Sequence, residues 1–172
     1  MGAQEEPSRW RDYEGQAPNI DEDPSLPDRI RRLVDEEHYC VLCTQGQKQP
    51  YGSVIAHSFT DDLKWAVFAT PIATRKYRLL SECDCVALVV DNRERFPEDM
   101  TKIEAITATG RASVIPRGEG FAKWADLLLT RHPYFDSFLA ASSTALFRVE
   151  IVRYLHVVRF QEVRQWIPES AS

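Results

Sequence analysis

The sequence lacks the features that several protein classes require. No apolar run approaches the roughly 18 residues that a transmembrane helix needs, so we expect no membrane-spanning segment. The first residues also lack the basic and then apolar order of a secretion signal, which makes the cytoplasm the expected location. Four cysteines in 172 residues are too few for a secreted disulfide scaffold.

Motifs for nucleophilic hydrolysis are also missing. The chain contains neither a Gly-x-Ser-x-Gly elbow nor a glycine-rich phosphate loop, and no histidine stands beside an obvious nucleophile. The net charge is −5. A basic surface for nucleic acid is therefore not expected, because no excess of positive charge is present to pair with phosphates.

The negative charge is concentrated at one end of the chain. Residues 1–28 contain eight acids, two bases and four of the ten prolines, whereas residues 29–172 contain 18 acids and 19 bases. High charge, proline and few apolar residues are typical of a tail or a wrapping arm. We therefore predict an acidic N-terminal arm over 1–28 and one domain with a C-terminal extension over 29–172.

Hydrophobic patterns predict a mainly β protein with helices, of the α+β class. Helices are predicted over 27–37, over about ten residues that start with Thr70 as N-cap and Pro71 as first helical residue, and over 120–130. Strands are predicted over 39–45, 51–59, 63–70, 84–91, 101–115 and 144–158. The first three strands suggest an antiparallel meander. Six antiparallel strands with helices at the ends favour a small β-barrel.

Cysteine and histidine side chains raise the question of metal or redox chemistry. Cys40 and Cys43 are three residues apart in a predicted strand, so they point to opposite faces and are poorly placed to hold one ion. Together with the Cys83-Asp84-Cys85 segment they are interpreted as structural thiols. Zinc binding and redox chemistry remain less favoured alternatives. No metal site is predicted.

Two histidines lie within predicted strands. His57 and His156 are interpreted as partly buried or rim histidines. The functional alternative for each is a proton donor that faces a substrate.

A cluster of bases and hydroxyls follows the third predicted strand. Thr70 and Thr74 offer hydroxyls near a helix start, and Arg75, Lys76 and Arg78 add three positive charges within four residues. Free backbone N–H groups and the positive end of the helix dipole make such a start suitable for a phosphate. The alternative is a capped surface helix whose bases are solvated.

The order of these segments resembles a known family. YCVLCTQ, PYGSV, LKWAVFAT, ATRKYRLL and DCVALVV follow one another as in the FMN-binding split barrel of the pyridoxamine 5′-phosphate oxidase-like superfamily, over roughly residues 28–160. The resemblance implies a six-stranded antiparallel split β-barrel. It further implies a homodimer with FMN in a groove between the subunits, and an oxidoreductase that acts on a small molecule.

The resemblance also assigns cofactor-binding residues. Thr74, Arg75 and Lys76 are expected to hold the flavin phosphate. Strand residues are expected to run along the ribityl chain and the ring: Ser53, Val54, Ile55, Phe68, Ala69 and Thr70. Trp166 of the partner subunit is a further expected aromatic contact.

The C-terminal sequence departs from true pyridoxamine phosphate oxidases. It ends RFQEVRQWIPESAS, which lacks their arginine-rich closing motif, and no second phosphate site is evident. The substrate is therefore unidentified. The alternative function is a non-catalytic flavin- or haem-binding split barrel, in which His57 or His156 would be the candidate axial ligand of the haem.

Overall fold

A computed structural model describes residues 25–159 and 162–168. The predicted arm over residues 1–28 lies outside the described residues except for its last four. The helices are α1 Leu26–Glu36, α2 Arg75–Glu82, α3 Phe121–Arg131 and α4 Asp136–Ala140. The strands are β1 Tyr39–Gly46, β2 Gln49–Ala56, β3 Ser58–Phe59, β4 Trp65–Pro71, β5 Cys85–Asp91, β6 Ala105–Val114, β7 Thr144–Val158 and β8 Glu162–Trp166.

All of these strands belong to one antiparallel sheet. Its order is β2-β1-β5-β6-β7-β4-β3, and β8 pairs with the second half of β7 beyond the end of β4. The sheet curls into a half-barrel, with α1 and α2 packed at its openings, α3 covering β4 and α4 covering the start of β7. This confirms the predicted α+β split barrel.

The predicted meander is interrupted at His57. The second predicted strand divides there into β2, which pairs with β1, and the short β3, which pairs with β4. β4 then pairs along its length with β7 rather than with β2. The bend at His57 therefore carries the chain from one end of the sheet order to the other, where β2 and β4 approach each other without pairing.

The predicted long strand over 101–115 is shorter than expected. Its first residues form a 3₁₀ turn at Met100–Lys102, and β6 starts only at Ala105. The Asp99 carboxylate causes this turn by accepting a hydrogen bond from the Thr101 backbone N–H at 3.1 Å.

Alternating residues on the strands build the barrel core. Leu42, Leu88, Ala108 and Val149 on four different strands are fully buried on the inner face. The apolar face of α1, formed by Leu26, Ile30, Leu33 and Val34, closes one opening against them. Successive side chains of β1 and β5 alternate between buried and partly exposed positions, so every second side chain faces the core.

A second, smaller cluster lies on the outer side of β4. Leu128 of α3 and Leu139 of α4 pack there against Val67 and Leu146. β4 is therefore covered on both faces, which explains why nearly all of its residues are apolar.

β7 changes the face that it presents to the core part-way along its length. Thr109 pairs with Arg153, but the next residue, Gly110, pairs with Ile151, so Val152 is an extra residue in β7. Such a bulge bends the strand. Gly110 allows it because a Cβ there would collide with the backbone carbonyl of Glu150.

Among the residues that the structure describes, no helix has the length and apolar character needed to span a membrane.

Candidate functional site

The helix that carries the basic cluster starts later than predicted. Thr70 is not its N-cap: β4 continues through Thr70 to Pro71, which pairs with Thr144 of β7. Thr74 is the N-cap, and its hydroxyl accepts a hydrogen bond from the Tyr77 backbone N–H at 3.3 Å. Pro71 can occupy the last position of β4 because no hydrogen bond from its backbone nitrogen is needed there. Thr70 still contributes, because its buried hydroxyl lies 3.0 Å from the Thr74 hydroxyl.

The start of α2 has positive charge that no carboxylate neutralises. Within 25–159 and 162–168, no acidic side chain lies within ion-pair distance of Arg75, Lys76 or Arg78. The chain pairs many of its other arginines, as with Arg95 and Glu36 at 2.9 Å. The backbone N–H groups of Arg75 and Lys76, in the first turn, also have no acceptor within the helix. The α2 N-terminus therefore combines three cations with free donors.

Lys76 is the clearest case of a positive charge without a carboxylate partner among the described residues. Its ammonium is half-buried, and burial lowers its pKa from the ordinary lysine value. A bound anion would oppose this effect by stabilising the charged form.

Tyr51 on β2 connects the basic cluster to that strand. The Arg75 guanidinium lies 4.9 Å from the centre of the Tyr51 ring, which is a cation–π distance. Tyr51 is not among the site residues predicted from the sequence, although it is an aromatic residue two positions before Ser53 in the PYGSV segment.

The predicted strand residues divide into accessible and inaccessible ones. On β2, the Ser53 hydroxyl is buried and has no hydrogen-bond partner, while Val54 is 70% exposed and Ile55 is in the core. On β4, Phe68 is fully buried and stacks on Phe147 with ring centres 5.3 Å apart. The Val54 side chain is therefore accessible, whereas the Ser53 hydroxyl is buried and unpaired. Three other predicted strand residues have side chains that pack in or against the core: Ile55, Phe68 and Ala69.

Trp166 is distant from the basic cluster within one chain. It lies on β8 opposite Tyr154 of β7, and the two rings have centres 5.5 Å apart. The cluster adjoins the other end of β7, where Thr144 pairs with Pro71. Ten residues of strand separate these ends, which is roughly 30 Å. Trp166 can therefore contribute to such a site only from a second subunit.

The two strand histidines are core residues rather than rim residues. His57 and His156 are both 0% exposed. His156 Nε2 lies 2.6 Å from Glu104 Oε1, and Arg32 contacts the other carboxylate oxygen at 2.8 Å. Neither ring offers a nitrogen to the barrel opening, so a haem would need a different axial ligand in this chain.

His57 is expected to make the fold sensitive to acid. Neither ring nitrogen has a hydrogen-bond partner. Burial, followed by the positive charges of Arg131 and His132, lowers the pKa of His57 to about 3. The nearby Glu37 carbonyl acts in the opposite direction, although its geometry is not that of a hydrogen bond. The unfolded chain takes up a proton near pH 6.5, whereas the native state does not. The free energy of unfolding should therefore fall by about 2 kcal/mol between pH 6.5 and 5 from this residue.

Urea unfolding of the wild type and of His57→Gln across that pH range measures this contribution. The variant is expected to lose stability at every pH but to show a smaller decrease on acidification. Identical pH dependence in the two proteins would contradict the assignment to His57.

Comparisons with known proteins agree with the architecture. No curated protein matches the sequence. Solved structures do match: a haem-binding protein from Mycobacterium smegmatis has a TM-score of 0.73 at 13% identity, with 83% of this chain and 57% of that one covered. An FAD-binding protein from Mesorhizobium loti has a TM-score of 0.59 at 15% identity, covering 73% and 87%. At these identities the likeness shows the fold alone.

Two further comparisons point to one family. A protein from Clostridium acetobutylicum, related to general stress protein 26 and described as of the pyridoxinephosphate oxidase family, has a TM-score of 0.65 at 14% identity, covering 84% of this chain and 96% of that one. The family model described as pyridoxamine 5′-phosphate oxidase matches residues 26–166, which include every strand described above. The chain therefore belongs to the pyridoxamine 5′-phosphate oxidase family.

Proposed function

We propose that the protein binds FMN and is an oxidoreductase that acts on a small molecule. The observation that carries the proposal is the unneutralised positive charge at the start of α2, where a half-buried Lys76 has no acidic partner among the described residues. A phosphate monoester fits this place, because it accepts hydrogen bonds from first-turn amides and balances the charge of the bases.

The remaining residues of the opening suit the rest of such a cofactor. Thr74 and Arg75 stand beside Lys76 at the phosphate end. The unpartnered Ser53 hydroxyl can hydrogen-bond a polyol chain, and the edge of β2 at Val54 can contact a flat ring with both backbone and apolar side chain. When bound, FMN would supply the electron transfer, while this chain would bind and orient it.

A homodimer is part of the same proposal. Val54, Val41, Val89, Thr107 and Leu155 form one row across the outer face of five strands. This row is mostly apolar, and its side chains are partly exposed, with Val54 70% exposed. A second copy of the chain would bury it, and would also bring Trp166 toward the flavin of its partner. Light scattering at micromolar concentration tests the dimer.

Comparison of FMN with riboflavin tests the cofactor proposal. The two ligands share the ring and the polyol chain and differ in the phosphate. The purified protein is expected to show a flavin absorption spectrum, and the flavin-free protein should bind FMN at least about tenfold more tightly than riboflavin, as loss of a charge-assisted hydrogen bond implies. Equal affinities would reject the phosphate site, and a haem spectrum would favour the alternative function.

A further inference from the structure

Two thiols and a carboxylate meet where α2 ends and β5 begins. The ligand atoms of Cys83, Asp84 and Cys85 all lie within 4.8 Å of one another. The backbone holds all three residues in place. The Cys83 N–H donates to the Leu79 carbonyl at 2.9 Å, the Asp84 carbonyl accepts from Ala112 N–H at 2.8 Å, and Cys85 belongs to the β5–β6 ladder.

These thiols differ from the other pair in the chain. Cys83 has an extended backbone, with φ −147° and ψ 123°, so that Cys83 and Cys85 point to the same side of the chain. Both side chains are partly exposed. Cys40 is buried and Cys43 lies on the opposite face of β1, as the sequence predicted. Opposite orientation of the side chains disfavours zinc only for Cys40 and Cys43. Cys83 and Cys85 do not share that orientation.

Polar groups surround the second pair. The Gln45 side-chain amide lies 3.6 Å from Cys83 Sγ, and Cys85 Sγ lies 3.7 Å from Asp84 Oδ1. Arg111 Nη1 contacts Asp84 Oδ1 at 3.0 Å and Cys85 Sγ at 3.8 Å. Arg111 thus serves as an outer partner that orients the carboxylate, as is usual for ligands of metal ions.

Metal binding at this cluster would depend on pH. Only the thiolate form of cysteine is a metal ligand, so binding of an ion would release the thiol protons.

The distances also suit a metal ion. Zinc bound tetrahedrally with Zn–S bonds of about 2.3 Å places two sulfur atoms about 3.8 Å apart. The ligand atoms of Cys83, Asp84 and Cys85 lie within 4.8 Å of one another, which is close to this spacing. We propose that Cys83, Asp84 and Cys85 bind a thiophilic divalent cation of the Zn²⁺ type, with water in the fourth position.

This site is independent of the proposed cofactor site. The two occupy opposite ends of α2, a helix of eight residues that is about 12 Å long. Failure of either proposal therefore leaves the other intact.

Metal titration of the reduced, metal-free protein tests the site. Zn²⁺ is added in competition with a chromophoric chelator, and Cd²⁺ is added while the sulfur-to-cadmium charge-transfer absorption is recorded. We expect one ion per chain, uptake that becomes tighter as pH rises, and a loss of affinity on the order of 100-fold in Cys83→Ser and in Cys85→Ser.

Cys43→Ser is the matched control, because it removes a half-buried thiol of the same chain outside the cluster, and its affinity should equal that of the wild type. Asp84→Asn is expected to lose about tenfold, since the thiolates remain. The proposal is overturned if the reduced wild type does not compete with the chelator for Zn²⁺, or if the Cys83 and Cys85 variants bind as the wild type does.

Discussion

Replacement of Lys76 by alanine is expected to weaken FMN binding by about 1.5–3 kcal/mol, or roughly 10- to 150-fold in dissociation constant, the range for a lost hydrogen bond to a charged group. Lys76 has no acidic partner among residues 25–159 and 162–168, so its substitution breaks no ion pair within the described fold. The effect should consequently be confined to ligands with a phosphate.

Fluorescence titration with both flavins separates this effect from general damage. Lys76→Ala should lower the affinity for FMN and leave the affinity for riboflavin unchanged. Lys123→Ala, on the exposed side of α3, removes the same charge elsewhere and should change neither affinity. If the two variants bind FMN equally well, Lys76 is not part of the site.

Replacement of Glu104 by alanine is expected to lower the free energy of unfolding by about 1–3 kcal/mol, as is usual when a buried group loses its charged hydrogen-bond partner. The carboxylate contacts the fully buried His156 at 2.6 Å and Arg32 at 2.8 Å. Its removal leaves the His156 ring nitrogen without a partner in the core. The hydrogen bond from His156 lowers the pKa of Glu104, and this effect exceeds that of burial, which acts in the opposite direction. This stabilisation is therefore present above the ordinary glutamate pKa and is lost as pH falls through the lowered one.

Urea unfolding at neutral pH measures the loss. Glu104→Gln keeps the shape and one hydrogen bond, so it should lose less than Glu104→Ala. Glu98→Ala, in the exposed loop before β6, is the control and should stay within about 0.5 kcal/mol of the wild type. A loss below about 1 kcal/mol in Glu104→Ala would mean that the cluster contributes little net stability.

The sequence was sufficient for the fold class because short-range patterns determine it. The alternation in β1 and β5 and the amphipathic α1 are local properties, and they were assigned correctly. The start of α2 was assigned wrongly because Thr70-Pro71 and Thr74 both satisfy local capping rules. The choice between them depends on pairing with Thr144, which is distant in sequence.

The candidate site shows the same limit. The bases at 75, 76 and 78 were visible as a cluster, but their lack of carboxylate partners depends on the whole fold. The burial of His57 and His156 was underestimated for a similar reason: hydrophobic periodicity identifies the strand, whereas a histidine at an inward position signals burial only when the strand register is known. Glu104 was missed because its partners are 52 and 72 residues away in sequence.

The extra residue in β7 makes chain length itself a constraint on this protein. Before Val152 the odd-numbered residues from Ala145 to Ile151 face the core, and after it Tyr154 and His156 do so. Deletion of Val152 would join Ile151 to Arg153, which restores simple alternation and leaves Tyr154 and His156 facing the core. Deletion of Leu155 would instead turn His156 outward and separate it from Glu104. Homologous chains should therefore accept the loss of Val152 but not the loss of Leu155.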